Sequence, residues 1–340
     1  MIEDVAERME RFVAQQLGRA IRVVALERST EGFSQETFAF EIDDSGTRRH
    51  YVAKRAPVAG LLEPYDLEPE FRVLHALSDD PLPSPPTPWF ATDPAILERP
   101  FYVMERLPGE VPIPGAGAEM MGPFTAAERD ALGPVVVDTL VALHSIDWQA
   151  RGLAFLGDPG IDAAAHELAR WEDRISRSGL PVEPALAEAL IWLRANCPPA
   201  DSITLVHGDF RIGNFLVERD GQHARLTGLL DWEMVHLGDP LEDVGWCVCQ
   251  LWRAGTPLAS GLMPPEEFAA RYAERSGRAV DPDRVRFWEV FSCVKMIAIM
   301  MTGLRAFREG RTDDLRMAIF DNQLPYLFMM LGATRGWLGG

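Results

Sequence analysis

An aspartate, an asparagine five residues later and a second aspartate 22 residues after the first stand at positions 209, 214 and 231. All three sit at the ends of apolar runs, where a chain presents polar groups rather than burying them. Asp209 and Asn214 follow the run ITLV, with Arg211 between them, and Asp231 closes the run LTGLL. The intervening FLVERDGQHARLTGLL has a turn at its centre, so a hairpin there brings Asn214 and Asp231 side by side with Asp209 next to them. One carboxylate and one amide oxygen make a poor cage for a free ion. They suit Mg²⁺ that already carries polyphosphate oxygens. The remaining aspartate then orients an attacking hydroxyl and accepts its proton.

The basic residues carry a second signal. Of 33, only Lys54 and Lys295 are lysine, and the other 31 are arginine. A lysine that survives such a bias suggests a site where a compact ammonium does what a guanidinium fork does not. The net charge of −18 argues against nucleic acid and anionic membranes as partners, without fixing the character of a local pocket. Cys197, Cys247, Cys249 and Cys293 form neither a paired ligand set nor a disulfide framework, which fits reduced thiols in a cytoplasmic protein.

The elements that must position these residues are legible in outline. At 340 residues with 47% apolar side chains, two lobes are expected. Val5, Met9, Phe12, Val13 and Leu17 give an amphipathic surface helix at the N-terminus, with no export signal. IRVVALERST, ETFAFEI and RRHYVAKRAP read as an antiparallel meander ending near Lys54, followed by a helix over EPEFRVLHALS. PLPSPPTPWFATDP reads as irregular, and FYVMERLPG as a strand running into a break. The Pro- and Gly-rich stretch from Leu107 to Phe124 reads as the connector between lobes 1–106 and 107–340. A Thr125–Glu128 capping box then opens a helix ending near His144, and further helices are expected over 162–178, 184–196, 239–253, 266–276, 282–308 and 312–331. Short strands interrupt them near 203–206, 215–218 and 226–230. The apolar stretch Val290–Leu304 carries Lys295 and reads as a buried helix, too short to span a bilayer comfortably.

HGDFRIGN, residues 207–214, resembles the HGDxxxxN motif of the aminoglycoside phosphotransferase and choline kinase-like superfamily. LLDWE resembles its metal-binding turn, and LGDPLEDVGW resembles the branch found as kinase-like domains at the N-termini of acyl-CoA dehydrogenase fusion proteins. The resemblance covers Ile21 to about Leu331. It implies an α+β protein-kinase-like fold, with a small antiparallel β-sheet lobe and a larger helical lobe. It also implies ATP and Mg²⁺ as cofactors and a small-molecule hydroxyl as acceptor. Residue by residue, it casts Asp209 as the catalytic base with Arg211 beside it, and Asn214 and Asp231 as metal ligands. Lys54 falls at the place of the phosphate-binding lysine, and Glu70 at that of the carboxylate that pins it. VMERL, with Glu105 and Leu107, resembles the adenine-holding hinge, and Ser34 of TEGFSQET the phosphate-covering turn. Asp239 and Glu233 stand as candidate acceptor contacts.

Other readings compete. The acceptor is a hydroxyacyl-CoA-type metabolite, or alternatively an aminoglycoside. A metal-dependent hydrolase would use His207, Asp209 and Asp231 as ligands, and a pseudokinase would bind nucleotide without transfer. His207 is expected to hold its loop, because the histidines lack the spacing of a zinc site. His144 reads as a core or capping residue, Trp232 and Trp246 as packing. On sequence separation alone Glu70 with Lys54 reads better as a surface ion pair, and only the other motifs reverse that; Asp239 reads equally as the cap of the next helix.

Overall fold

The computed structural model describes residues 2–29, 35–112, 124–220, 223–253 and 256–337. Helix α1 (Ile2–Leu17) lies against a five-stranded antiparallel sheet of order β1-β2-β3-β5-β4, built from β1 (Arg22–Ser29), β2 (Glu36–Asp44), β3 (Thr47–Arg55), β4 (Trp89–Ala91) and β5 (Phe101–Glu105). The alternation Phe38, Phe40, Ile42 on β2 buries one face, and Met9, Phe12 and Val13 of α1 close over it. Phe12 meets Phe101 edge to face, with ring centroids 5.2 Å apart. This small core is separate. The other side of the lobe, with α2 (Glu68–Ala76), Tyr102 and Met104, joins the main core of the helical lobe.

The segment expected to be irregular before β5 contributes β4 and a one-turn helix α3 (Pro94–Leu97). Three residues of edge strand, paired only with β5, leave no alternation long enough to read. Ser34 and residues 113–123 of the expected connector lie outside the described residues.

The larger lobe holds α4 (Ala126–His144), α5 (Ala163–Ser178), α6 (Pro184–Ala195), α7 (Leu241–Val248), α8 (Pro265–Ser276), α9 (Pro282–Arg308), α10 (Leu315–Ala318) and α11 (Phe320–Arg335). The capping box is formed: Thr125 Oγ1 accepts from Glu128 N at 3.3 Å, and Glu128 Oε2 accepts from Thr125 N at 2.7 Å. The single helix expected over 312–331 is two, because Asp314 caps α10 and a second start follows at Phe320. Among these helices run β6 (Thr204–Val206), β7 (Phe215–Asp220), β8 (His223–Leu229) and β9 (His236–Gly238).

Helix α9 is the axis of the lobe, packed against α5, α6, α7 and α11. It runs 27 residues and is long and apolar enough to cross a membrane, so the expectation that length excludes a span does not hold. Burial decides instead: 78% of its most apolar window lies inside the fold.

Candidate active site

Strand β6 delivers the His-Gly-Asp turn, and its antiparallel partner is β9, with Val206 opposite His236. At Gly208 the backbone takes φ +79°, and an added Cβ would stand 2.6 Å from the carbonyl oxygen of Met234, so only glycine fits. The turn's backbone groups go to buried charges. Asp243, at the start of α7, accepts from His207 N at 2.7 Å and Gly208 N at 2.9 Å, and its Oδ2 lies 3.2 Å from His144 Nε2. Lys295, fully buried in the middle of α9, donates to the Gly208 carbonyl at 2.7 Å and to Glu242 at 3.0 Å. The other Glu242 oxygen lies 3.1 Å from His236 Nε2. His207 accepts from Asp209 N through Nδ1 at 3.1 Å. Burial pushes its pKa below the ordinary histidine value, which makes it a neutral support of the loop.

Asp209 leaves this turn almost enclosed. Its Oδ1 accepts from Arg211 Nε and Trp246 Nε1, each at 2.8 Å, and its Oδ2 accepts from Asn214 Nδ2 at 2.6 Å. Asn214 Nδ2 also donates to the Asp209 carbonyl at 2.8 Å. With that nitrogen committed twice, Asn214 Oδ1 is turned away and has no hydrogen-bond partner among the described residues, although it is buried. The β7–β8 register pairs Phe215 with Leu229, and Leu230 N donates to the Asn214 carbonyl at 2.8 Å. Asn214 and Asp231 therefore come together as the sequence suggested. Asp231 takes φ +60°, a left-handed conformation that a non-glycine residue holds only when its surroundings impose it.

The lysine is placed differently from expectation. Lys54 Nζ pairs with Asp231 Oδ1, not with Glu70. Both Glu70 oxygens are taken: Oε1 accepts from the Tyr102 hydroxyl and Oε2 from Gln35 Nε2, each at 2.7 Å. Glu70 acts on Lys54 through charge rather than contact. Burial opposes the ammonium, but Asp231, Glu70 and Glu233 outweigh it and raise its pKa above the ordinary lysine value. For Asp231 burial is likewise outweighed, by Lys54 first, and its pKa is lowered.

Of the two readings of Asp239, helix cap and acceptor contact, its contacts match the cap. It is fully buried, its Oδ1 accepts from Leu241 N at 2.9 Å at the start of α7, and its Oδ2 accepts from Arg284 at 2.8 Å. A carboxylate so engaged caps a helix and offers nothing to a ligand. Glu105 is exposed at the end of β5, its amide donating to the Pro86 carbonyl at 2.8 Å. Leu107, half-buried, reaches toward Gly228 of β8.

Asp209, Arg211, Asn214, Asp231 and Glu233 line one cavity of about 620 Å³. Its far wall is apolar, formed by Leu251, Trp252, Met296, Ile299, Met300 and Phe320.

Sequence reading missed three supports of this site. Asp243 lay unremarked inside LGDPLEDVGW, and Trp246 read as packing only. Lys295 carried the same signal as Lys54, being the only other lysine, and that signal went unused. Glu167, His236 and Glu242 also gather closely enough to hold a metal by spacing alone. Here Lys295 and Arg170 already balance the two carboxylates, and the pKa of Glu242 is lowered to about 2 against the cost of burial, chiefly by Lys295.

Residues 25–288 match the phosphotransferase enzyme family. The chain belongs to that family. Among curated proteins, it is 30% identical over 292 residues to the Arabidopsis thaliana protein named "Probable acyl-CoA dehydrogenase IBR3", covering 79% of this chain and 34% of that protein. It is 28% identical over 296 residues to acyl-CoA dehydrogenase family member 11 of Rattus norvegicus, covering 83% and 36%. The chain thus spans about a third of the length of these relatives. A solved structure from Ralstonia eutropha JMP134, provisionally named an aminoglycoside phosphotransferase, matches with TM-score 0.73 at 23% identity, over 96% of this chain and 97% of that one. A thermostable mutant of the aminoglycoside phosphotransferase APH(4)-Ia, solved with ADP and hygromycin B, matches with TM-score 0.59 at 19% identity, over 97% and 99%. The fold is that of the kinase-like aminoglycoside phosphotransferases: an antiparallel sheet lobe and a helical lobe.

Proposed function

We propose that this phosphotransferase-family chain moves the γ-phosphate of ATP to a hydroxyl of a small, partly apolar molecule. The observation that carries the reading is the buried Asn214 Oδ1, which has no partner among the described residues and stands beside the strained Asp231 and behind Asp209. An amide oxygen held ready next to a carboxylate is the donor set of a Mg²⁺ ion that also carries phosphate oxygens. Asn214 and Asp231 would hold that ion, which neutralises charge on the phosphates. Lys54 would reach the phosphates, with Glu70 supporting its charge from behind, and Glu105 and Leu107 would border the adenine.

In the transfer, the acceptor oxygen forms a bond to the γ-phosphorus while the bond to the bridging oxygen breaks, and ADP leaves. Asp209 orients the hydroxyl and takes its proton. Arg211 and Trp246 fix the carboxylate that does so, which limits the rearrangement needed in the transition state. Glu233, on the same cavity, contacts the acceptor.

The apolar wall of the cavity favours an acyl-type acceptor over a polycationic sugar, whose amines would need carboxylates where this chain has Met296, Ile299, Met300 and Phe320. The acyl-CoA dehydrogenase relatives point the same way, toward a hydroxyacyl-CoA-type metabolite. An ATP-consumption screen over hydroxyacyl-CoAs, hydroxy acids, aminoglycosides and choline tests the choice. Turnover confined to aminoglycosides would overturn it.

Saturating Mg-ATP is expected to stabilise the protein by mass action, by about 2.7 kcal/mol at a hundredfold excess over the dissociation constant. A thermal shift assay reads this. A shift with Zn²⁺ alone and none with Mg-ATP would favour the hydrolase reading instead.

Lys54→Arg is expected to reduce turnover strongly and leave the melting temperature near that of the wild type. The guanidinium fork is wider than the ammonium that fits between Asp231 and the phosphates. Steady-state kinetics at saturating ATP check this, and wild-type turnover would show that Lys54 has no such task.

A further inference from the structure

A second and larger cavity, of about 920 Å³, opens between the lobes and carries five arginines: Arg99 from the sheet lobe, Arg170, Arg174 and Arg177 from α5, and Arg305 from α9. Among the described residues, two carboxylates, Glu63 and Asp173, line it beside them. This is a local excess of positive charge in a chain whose net charge is −18. Spacings of four and three residues place Arg170, Arg174 and Arg177 on one face of α5.

The carboxylates that neutralise these arginines are shared. Glu36 serves Arg99 and Arg55 together, and Glu309 serves Arg305 and Arg311. Arg170 pairs with Glu167 and Arg177 with Asp173. Arg174 has no carboxylate partner among the described residues. Its guanidinium lies 5.2 Å from the Trp171 ring centroid and donates a single hydrogen bond, 3.1 Å, to the Glu63 carbonyl. Burial, and then the charges of Arg170 and Arg177, hold its pKa below the ordinary arginine value.

We propose that this cavity is a binding site for a phosphate-class anion, with Arg174 as its central donor and the other four arginines around it. A half-buried guanidinium with free N–H groups, set on an aromatic face, offers the planar fork that phosphate oxygens accept in pairs. The site does not stand alone. Tyr65, Arg170 and Arg174 also border a narrow cleft that reaches Glu70 and Glu233, and Glu233 lines the catalytic cavity. The anion is then either the far end of the acceptor, which rests on the phosphotransfer reading, or a separate small phosphate ligand. The chemistry required of the cavity is the same.

The test is calorimetric titration of inorganic pyrophosphate into the whole chain in EDTA, where metal-assisted binding at Asn214 and Asp231 is suppressed. Wild type and Lys54→Met are expected to bind alike, and Arg174→Met to bind roughly ten- to hundredfold more weakly, the loss for one hydrogen bond to a charged group. Arg305→Gln, at the rim, is expected to weaken binding to a smaller extent and guards against a folding failure at Arg174. Added salt should weaken binding in the wild type. Absence of binding in the wild type, or binding lost in Lys54→Met and kept in Arg174→Met, overturns the site. This result is independent of whether phosphotransfer is ever seen. A second arm identifies the source: if hydroxylated acceptors bearing a terminal phosphate show a raised KM in Arg174→Met while unphosphorylated ones do not, the anion belongs to the acceptor. Pyrophosphate changing turnover with acceptor KM unaltered assigns it to a separate ligand.

Discussion

Asp209→Asn is expected to lower turnover by roughly 10²–10⁴ while the ATP dissociation constant stays within a few-fold of wild type. The geometry explains why the two effects separate. Asp209 is bound by Arg211, Trp246 and Asn214, and its proposed work is done on the acceptor hydroxyl rather than on the nucleotide. Losing its charge removes the proton acceptor. It does not release Asn214, whose Nδ2 keeps its bond to the Asp209 main-chain carbonyl at 2.8 Å, a contact no substitution at this position deletes. Asn214 Oδ1 therefore stays aimed where a metal would be held. Asp231→Asn is expected to behave differently, weakening Mg-ATP binding together with turnover, because it removes a carboxylate from the metal and from Lys54. Calorimetric titration of Mg-ATP beside a coupled assay on both variants checks this. An equal loss of ATP affinity in the two would make Asp209 a metal ligand and leave the base unassigned.

The residues that meet across the site were legible in the sequence where local rules act. The β7–β8 hairpin is a run of sequence with a turn in its middle, so the approach of Asn214 to Asp231 follows from period and turn chemistry alone. The capping box before α4 and the amphipathic face of α1 are equally local. What was not legible depends on pairs far apart in the chain. Strand β9 is three residues long and exists because β6 lies beside it, so no pattern within His236–Gly238 could announce it. The partner of Lys54 was hidden for the same reason. Glu70 is the nearer acid in sequence, but Gln35 and Tyr102, from two other strands' neighbourhoods, saturate it and leave Asp231 to take the ammonium. Asp239 shows the converse case: a helix-start rule was available, and it describes the residue without any acceptor contact.

Lys295→Met is expected to destabilise the protein by about 3–5 kcal/mol, the cost of leaving a buried charge without its partner. Lys295 and Glu242 are both essentially excluded from solvent, and the ammonium also lies 4.8 Å from the Trp246 ring centroid and bonds the Gly208 carbonyl. With the lysine gone, Glu242 keeps only His236 to offset its burial, and the Gly208 carbonyl loses its donor. Lys295→Arg should not restore the wild type. The longer guanidinium must enter a space bounded by Trp171 and Trp246, and overpacking of that kind costs about 1–3 kcal/mol. Lys295→Met with Glu242→Gln removes both charges and should recover much of the loss in a double-mutant cycle. Chemical denaturation of the wild type, the Lys295→Met, Lys295→Arg and Glu242→Gln single variants and the double variant measures these terms. Turnover supplies a second readout, because Lys295 and Asp243 together hold the turn that carries Asp209, and a loosened turn should lower turnover even at temperatures where the variant remains folded. A loss below about 1 kcal/mol in Lys295→Met, or a double variant no more stable than the single, would mean that the buried pair is not what holds the loop. The surviving lysine would then be a residue that arginine simply had not replaced.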